Sequence, residues 1–384
     1  MNILHITSIL PAPLKRKRTE NDILVRIAEE YQNQYPDCSH SFILTVPFSN
    51  FILSFFKKRW YEYYKLIRKG FYEHNGFRIY VIGIPAFASD QNITSYLSKI
   101  GYKLNKKRIN FILKKVSPDI IHAQSFGSSI ELAEILKLKY KINYLATARG
   151  INKRTIVRIQ ENKLNPLKVL TLNYQVFCRL KNELNIQVEL IPHPVDNGFF
   201  VLNQNFKVNS KPRFISVGRL LKLKNIDRVI LALSKLRIEF IYDIYGVGPE
   251  EERLKVLVND LNLQNKVNFK GWIEHKELKL ILNEYDLLLQ PSFPETLGRI
   301  YLEAMASGVP VLAARNTGVD GLVSNNIEAF LVDCESVDDI LSSIQQFVSL
   351  NETQKIDMKQ SAIKTASLYR WECTLVRYYK FYNV

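Results

Sequence analysis

The stretch DLLLQPSFPETLGRIYLEAMASGVPVLAA, residues 286–314, decides the architecture. Its opening is a short apolar run closed by Pro291, the pattern of a strand buried on both faces. A helix is predicted to begin near Leu297. Gly308 stops it, and Pro310 opens a second strand, VPVLAA. Two strands joined through one helix run parallel, which makes this an α/β unit. The same alternation extends to either side. RFISVG, FIYDIYG and KVNFKG precede it in the second half, and NILHITS, SFILTVP, RIYVIGIP, DIIHAQS, INYLATA and VELIPHP are the strand candidates of the first half. The pattern predicts two doubly wound parallel sheets of the Rossmann-like kind, one in each half. The first domain is placed at 1–200 and the second at 213–368. The polar stretch 201–212, ending in Pro212, is the linker, and 369–384 forms a last, aromatic-faced helix.

A chain of 384 residues suits two cores better than one. No stretch approaches the roughly 20 apolar residues that span a bilayer. The opening MNILHITSILP reads as a first strand rather than a signal peptide. Cys38, Cys178, Cys334 and Cys373 are scattered without metal-ligand spacing, as expected of small buried side chains in a reducing cytoplasm. The net charge of +16 is uneven: residues 1–190 carry 30 Lys and Arg against 14 Asp and Glu, and the remainder is neutral. Two first-half segments interleave cations with bulky apolar residues, FILSFFKKRWYEYYKLIRKGFY (51–72) and YLSKIGYKLNKKRINFILKK (96–115). In the first, Phe55, Arg59 and Lys69 spread around a helix while Trp60, Tyr63, Tyr64 and Ile67 form an aromatic stripe. Such segments suit an anionic membrane surface, giving a cytoplasmic protein held peripherally at the inner face. The competing reading makes those aromatics domain core. No RNA-binding signature accompanies the charge, so nucleic acid is not an expected partner.

The chemistry-bearing residues gather where strands end, and open parallel sheets bind ligands beyond the carboxyl ends of their strands. His122 closes DIIHAQS and Arg149 follows YLATA; Gly218 and Arg219 close RFISVG; Gly246 and Gly248 follow FIYDIYG. Glu295 lies in the loop after DLLLQPS and Glu303 on the helix behind it. The free N–H groups of Thr296, Leu297 and Gly298 suit a phosphate or sugar oxygen. Glu303 is placed to accept hydrogen bonds from vicinal hydroxyls, and Arg219 with Lys224 to clamp a diphosphate. The glycines after FIYDIYG allow close backbone approach. Each element has an ordinary alternative: a surface loop, a helix with a wet Glu, a solvated basic loop or a plain turn.

Taken together in this order, the segments from about Phe214 to Thr317 resemble glycosyltransferase family 4, the group 1 glycosyltransferases; the likeness runs more thinly to both ends. The resemblance implies the GT-B fold, two Rossmann-like domains facing a central cleft, and a retaining transfer from a nucleotide-sugar without metal or other cofactor. It assigns the transferred sugar to Glu295, the nucleotide ribose to Glu303, and the diphosphate to Arg219 and Lys224. Gly218, Gly246, Gly248, Thr296, Leu297 and Gly298 complete the donor site. A donor phosphate oxygen would take the acceptor proton, so no protein base is required. The implied acceptor is a saccharide or lipid-linked saccharide, in surface polysaccharide synthesis. IPHPVDNGFF resembles the family's interdomain stretch with His193 and Pro194 substituted, and the last helix resembles one that crosses back to the first domain. The first half departs more. LPAPLKRKRTEN, with Lys15–Arg18, stands where a glycine-rich loop is usual. Arg149 stands where many members have a His on the transferred sugar, and His122 is expected to face the cleft. The alternatives are a nucleotide-sugar epimerase, a phosphorylase, for which no cofactor-lysine motif is present, and a non-catalytic subunit binding membrane or nucleic acid.

Overall fold

The computed structural model describes residues 1–9, 23–48, 58–85, 94–200 and 208–383, without the side chains of 58–60 and 94. The basic run Lys15–Arg18, residues 49–57 and linker positions 201–207 lie outside the described residues. The chain divides into two compact units. One comprises Met1–Thr171, Val176–Ile191 and Leu375–Val384, the other Leu172–Gln175 and Pro192–Thr374.

The first unit is built on β1 (Asn2–Thr7), β2 (Ser39–Phe48), β3 (Phe71–His74), β4 (Phe77–Pro85), β5 (Ile120–Ala123), β6 (Tyr144–Ala148), β7 (Lys168–Thr171) and β8 (Gln187–Leu190), in the order β3-β4-β2-β1-β5-β6-β7-β8. All neighbours run parallel except the β3–β4 hairpin. Its turn is Asn75-Gly76, both at positive φ, as a tight two-residue hairpin needs. The second unit has β9 (Arg213–Val217), β10 (Ile241–Tyr245), β11 (Val267–Gly271), β12 (Leu287–Gln290), β13 (Val311–Ala314) and β14 (Ala329–Val332), ordered β11-β10-β9-β12-β13-β14 and parallel throughout. This is the strand order of a dinucleotide-binding sheet, and it reverses between β9 and β12.

The stretch 286–314 folds as strand, helix and strand because its apolar positions are all consumed. β12 is buried along its length, and Tyr301, Leu302, Ala304, Met305 and Ala306 of the helix Arg299–Ala306 are buried as well. The helix starts at Arg299 rather than near Leu297, because Gly298 takes a left-handed conformation and breaks the run. Gly308, at φ 74°, ends it through Gly308 N–H to Met305 O and Val309 N–H to Ala304 O. Three strands escape the sequence reading. They are β3 (FYEH), β7 (KVLT) and β14 (AFLV). VELIPHP contributes a strand only as far as Leu190.

Candidate functional site

The reversal between β9 and β12 leaves a gap at the carboxyl edge of the second sheet, and the chain lays its polar loops around it. Gly218 leaves β9 with its N–H on Tyr245 O at 2.9 Å, and Gly246 N–H binds Gly271 O at 2.7 Å, so the exits of β9, β10 and β11 are stitched together. A Cβ at Gly246 would meet Gly218 O at 1.8 Å, and one at Gly248 would meet Leu220 O at 2.2 Å. The close approach those glycines permit is therefore to the neighbouring loop, which fixes the floor of the site. On the other side, Phe293 N–H donates to Leu223 O at 2.8 Å and Asn225 Nδ2 to Pro291 O at 2.8 Å, which ties the loop after β12 to the loop after β9.

Three charged groups stand at this edge. Lys224 Nζ contacts Glu295 Oε2 at 2.7 Å, each side chain 17% exposed. Glu295 Oε1 also accepts the Thr296 N–H at 3.1 Å. Its backbone is clamped by Thr317, whose hydroxyl accepts the Glu295 N–H and donates to Glu295 O, both at 2.8 Å. Arg219 is exposed and makes no ion pair among the described residues. Leu297 is 2% exposed and belongs to the core, so only its backbone can meet a ligand. Thr296 is exposed, and its carbonyl accepts from Asn173 Nδ2. The N–H groups of Leu297 and Gly298 have no acceptor among the described residues, as befits the approach to a helix N-terminus.

Glu303 is 6% exposed. Its Oε1 accepts from His275 Nε2 at 2.9 Å and from Arg299 Nη2 at 3.0 Å. Burial alone would raise this carboxyl, but the His275 hydrogen bond and the Arg299 charge outweigh it and hold the group below the usual carboxylate range. Glu303 is thus an anion at neutral pH with one oxygen occupied. Among the described residues no group of three or more His, Cys, Asp or Glu is placed to hold a metal ion.

The first-unit candidates part company. Arg149 follows β6 at the carboxyl edge of its sheet, with Nε–H on Gln124 O at 3.1 Å, and burial lowers its guanidinium from its ordinary value. His122, expected to face a cleft, is instead an interior residue with 0% exposure. Its Nε2–H donates to Thr147 Oγ1 at 2.8 Å, while Nδ1 meets Tyr382 OH at 2.9 Å and Gln124 Nε2 at 3.0 Å. Gln124 Nε2 also meets His5 Nδ1 at 2.9 Å, and His5 Nε2 meets His40 Nδ1 at 2.8 Å. The reason is register: His122 pairs with His5 across β5 and β1, so it points with His5 into the layer that the last helix covers. The expected aromatic stripe is also corrected in part. Tyr63 and Leu66 of the helix Lys58–Lys69 are core, Tyr64 and Ile67 are half-buried, and the Trp60 side chain lies outside the described residues.

A doubly wound sheet with two cations and an anionic Glu at its switch point narrows the families that can be compared. Residues 200–365 match the family of glycosyl transferases, group 1. The second unit is a group 1 glycosyl transferase domain. The chain is 31% identical over 173 residues to the sulfoquinovosyl transferase SQD2 of Arabidopsis thaliana, covering 44% of this chain and 32% of that protein. It is 30% identical over 142 residues to the putative colanic acid biosynthesis glycosyltransferase WcaL of Salmonella typhimurium, covering 35% of each. The chain thus spans about a third of the length of these curated relatives. In fold it is similar to the sucrose-phosphate synthase of Thermosynechococcus elongatus, with a TM-score of 0.74 over 99% of this chain and 98% of that one at 16% identity. The architecture is accordingly GT-B, two Rossmann-like domains.

Within this group 1 domain, sequence reasoning missed two residues. Thr317, which clamps Glu295, follows β13 at the same carboxyl edge as the others, so its position was the available signal. His275, on Glu303, begins the helix His275–Ile281 behind the Glu274 capping box. A His among charged residues at a helix start carries no signal of its own.

Proposed function

We propose that the chain is a retaining, metal-independent glycosyltransferase that moves a sugar from a nucleotide-sugar to a saccharide or lipid-linked saccharide. The observation that carries this is the Lys224–Glu295 pair at the β9–β12 switch point beside Arg219, which has no ion pair among the described residues, with Glu303 held anionic behind it. As the sugar–phosphate bond breaks, negative charge collects on the diphosphate. Arg219, Lys224 and the N–H groups of Leu297 and Gly298 line the edge where that charge develops, and Lys224 is released to meet it when Glu295 turns to the sugar. Glu295 orients the sugar, and Glu303 accepts hydrogen bonds from the ribose. The acceptor hydroxyl attacks on the leaving-group face and passes its proton to the donor phosphate, so the site needs no protein base. Arg149 cannot serve as one.

The work is placed at an anionic membrane surface on the cytoplasmic side, in the synthesis of a surface polysaccharide or glycolipid. The helix Thr94–Val116 supports this. It has no Asp or Glu, buries Tyr102, Ile109, Ile112 and Leu113, and leaves Tyr96, Leu104 and Phe111 more than 60% exposed among exposed lysines. Apolar rings and lysines on one free face match a leaflet of anionic headgroups over acyl chains. No described helix is long and apolar enough to cross a membrane. A thermal-shift screen against UDP-, GDP- and ADP-sugars, followed by transfer from whichever stabilises the fold, tests the reading. A donor at about 100 times its Kd adds roughly 2.7 kcal/mol to the fold. Absence of any shift across the panel, at concentrations into the millimolar range, contradicts it.

A further inference from the structure

His275 carries no role in the site as the sequence describes it, yet it makes the shorter of the two contacts on Glu303. A carboxylate can only accept, so Nε2 of His275 bears the proton in that 2.9 Å contact. Arg299 Nη2 reaches the same oxygen, Oε1, at 3.0 Å. Oε2 accepts nothing among the described residues and is not sealed from solvent, so it is the oxygen open to a ligand. The His275 ring, 40% exposed, has an aromatic neighbour. It meets the Phe199 ring edge-on with centroids 4.9 Å apart. Phe199 is 2% exposed, and its carbonyl accepts from Ser307 Oγ at 3.0 Å, one helical turn beyond Glu303. The turn at Asp196–Phe200 therefore sets the ring, and the ring sets the carboxylate.

We infer that His275 is a positioning residue for nucleotide recognition: with Arg299 it binds Oε1 of Glu303 and so aims Oε2 at the vicinal hydroxyls of the ribose. The inference rests on the proposed role of Glu303. Without the His275 contact, Arg299 remains as a partner, but a carboxylate oxygen held by one donor turns over a wider range of orientations than one held by two. The consequence falls on hydroxyl recognition alone. The proposed diphosphate contacts stay with Arg219 and Lys224, which His275 does not touch.

The test is calorimetry with UDP, GDP and ADP and with their 2′-deoxy counterparts, on the wild type and on His275→Ala, His275→Gln and Glu303→Ala. A hydrogen bond to a charged group corresponds to a preference for the ribonucleotide of about tenfold or more in the wild type. In His275→Ala the ribonucleotide Kd should rise about tenfold while the deoxynucleotide Kd, with one hydroxyl left to lose, rises much less, so the preference shrinks. His275→Gln, whose amide can donate from the Nε2 position, should restore most of it. Equal losses on both nucleotides, or a preference kept by His275→Ala, overturn the inference. If Glu303→Ala loses the preference while His275→Ala keeps it, the inference fails and the Glu303 reading stands. If Glu303→Ala keeps it too, both fall.

Discussion

Acidification from about pH 7.5 to about pH 5 should destabilise the first unit by several kcal/mol, through histidines that play no part in transfer. His122 and His40 are buried, and burial brings both down from 6.5 to about 3; the Arg149 charge adds to the effect at His122 and the chain's amino group at His40. His5, between them, is lowered well below its ordinary value by burial and by its two neighbours. The hydrogen bonds give the same answer. The Nδ1 atoms of His5 and His122 face the Gln124 amide, His40 Nδ1 faces His5 Nε2, and a second proton on any ring would confront a donor. The fold therefore holds neutral rings while the unfolded chain binds protons. Stability is complete above about 6.5, the ordinary value, and is lost as pH falls from there toward about 3. Each group contributes about 1.4 kcal/mol per pH unit in that window, hence about 2 kcal/mol at pH 5 and about 4 for His40 and His122 together. Hydrogen exchange at β1, β2 and β5, corrected for the intrinsic pH dependence, reads this unit alone. Protection should drop about a thousandfold between the two pH values, and His122→Gln should remove roughly half of that dependence. Flat protection, or the same slope in the variant, would refute the reasoning.

Two further outcomes follow from the site and the surface. Lys224→Ala should lower transfer by about two orders of magnitude, because it removes a charge partner of the leaving diphosphate; near wild-type transfer in the folded variant contradicts the clamp. In liposome sedimentation the protein should bind anionic but not zwitterionic vesicles, less so as salt rises, and Leu104→Ser with Phe111→Ser should weaken the binding; a wild type that stays in the supernatant with both vesicles at low salt rules out the membrane surface.

The second unit was far more legible than the first, for physical reasons. Its site is local in sequence: Gly218, Arg219 and Lys224 follow β9, and Glu295 and Glu303 lie on the loop and helix that follow β12. The long-range contacts were invisible. Lys224 meets Glu295 across 71 positions, and His275 meets Glu303 across 28. In the first unit the sequence places His122 at a strand end, but only the sheet order brings His5 and His40 to the same layer and closes it with Tyr382, 260 residues away. The aromatics of the helix Lys58–Lys69 split between core and surface by helical phase, which composition does not resolve. The interleaved segment 96–115 lies in the helix Thr94–Val116, but which of its apolar residues stay exposed, Tyr96, Leu104 and Phe111, only the packing shows.

The central claim is that Glu303 holds the nucleotide and Glu295 the sugar being transferred. Calorimetry with the free nucleoside diphosphate of the active donor, on Glu303→Ala and Glu295→Ala, separates them. Glu303→Ala should weaken nucleotide binding by about tenfold or more, as loss of a charged hydrogen-bond partner does. Glu295→Ala should bind the nucleotide nearly as the wild type does while transfer is abolished, since its carboxylate leaves Lys224 for the sugar rather than the phosphate. Equal losses of nucleotide binding in the two variants would contradict the account.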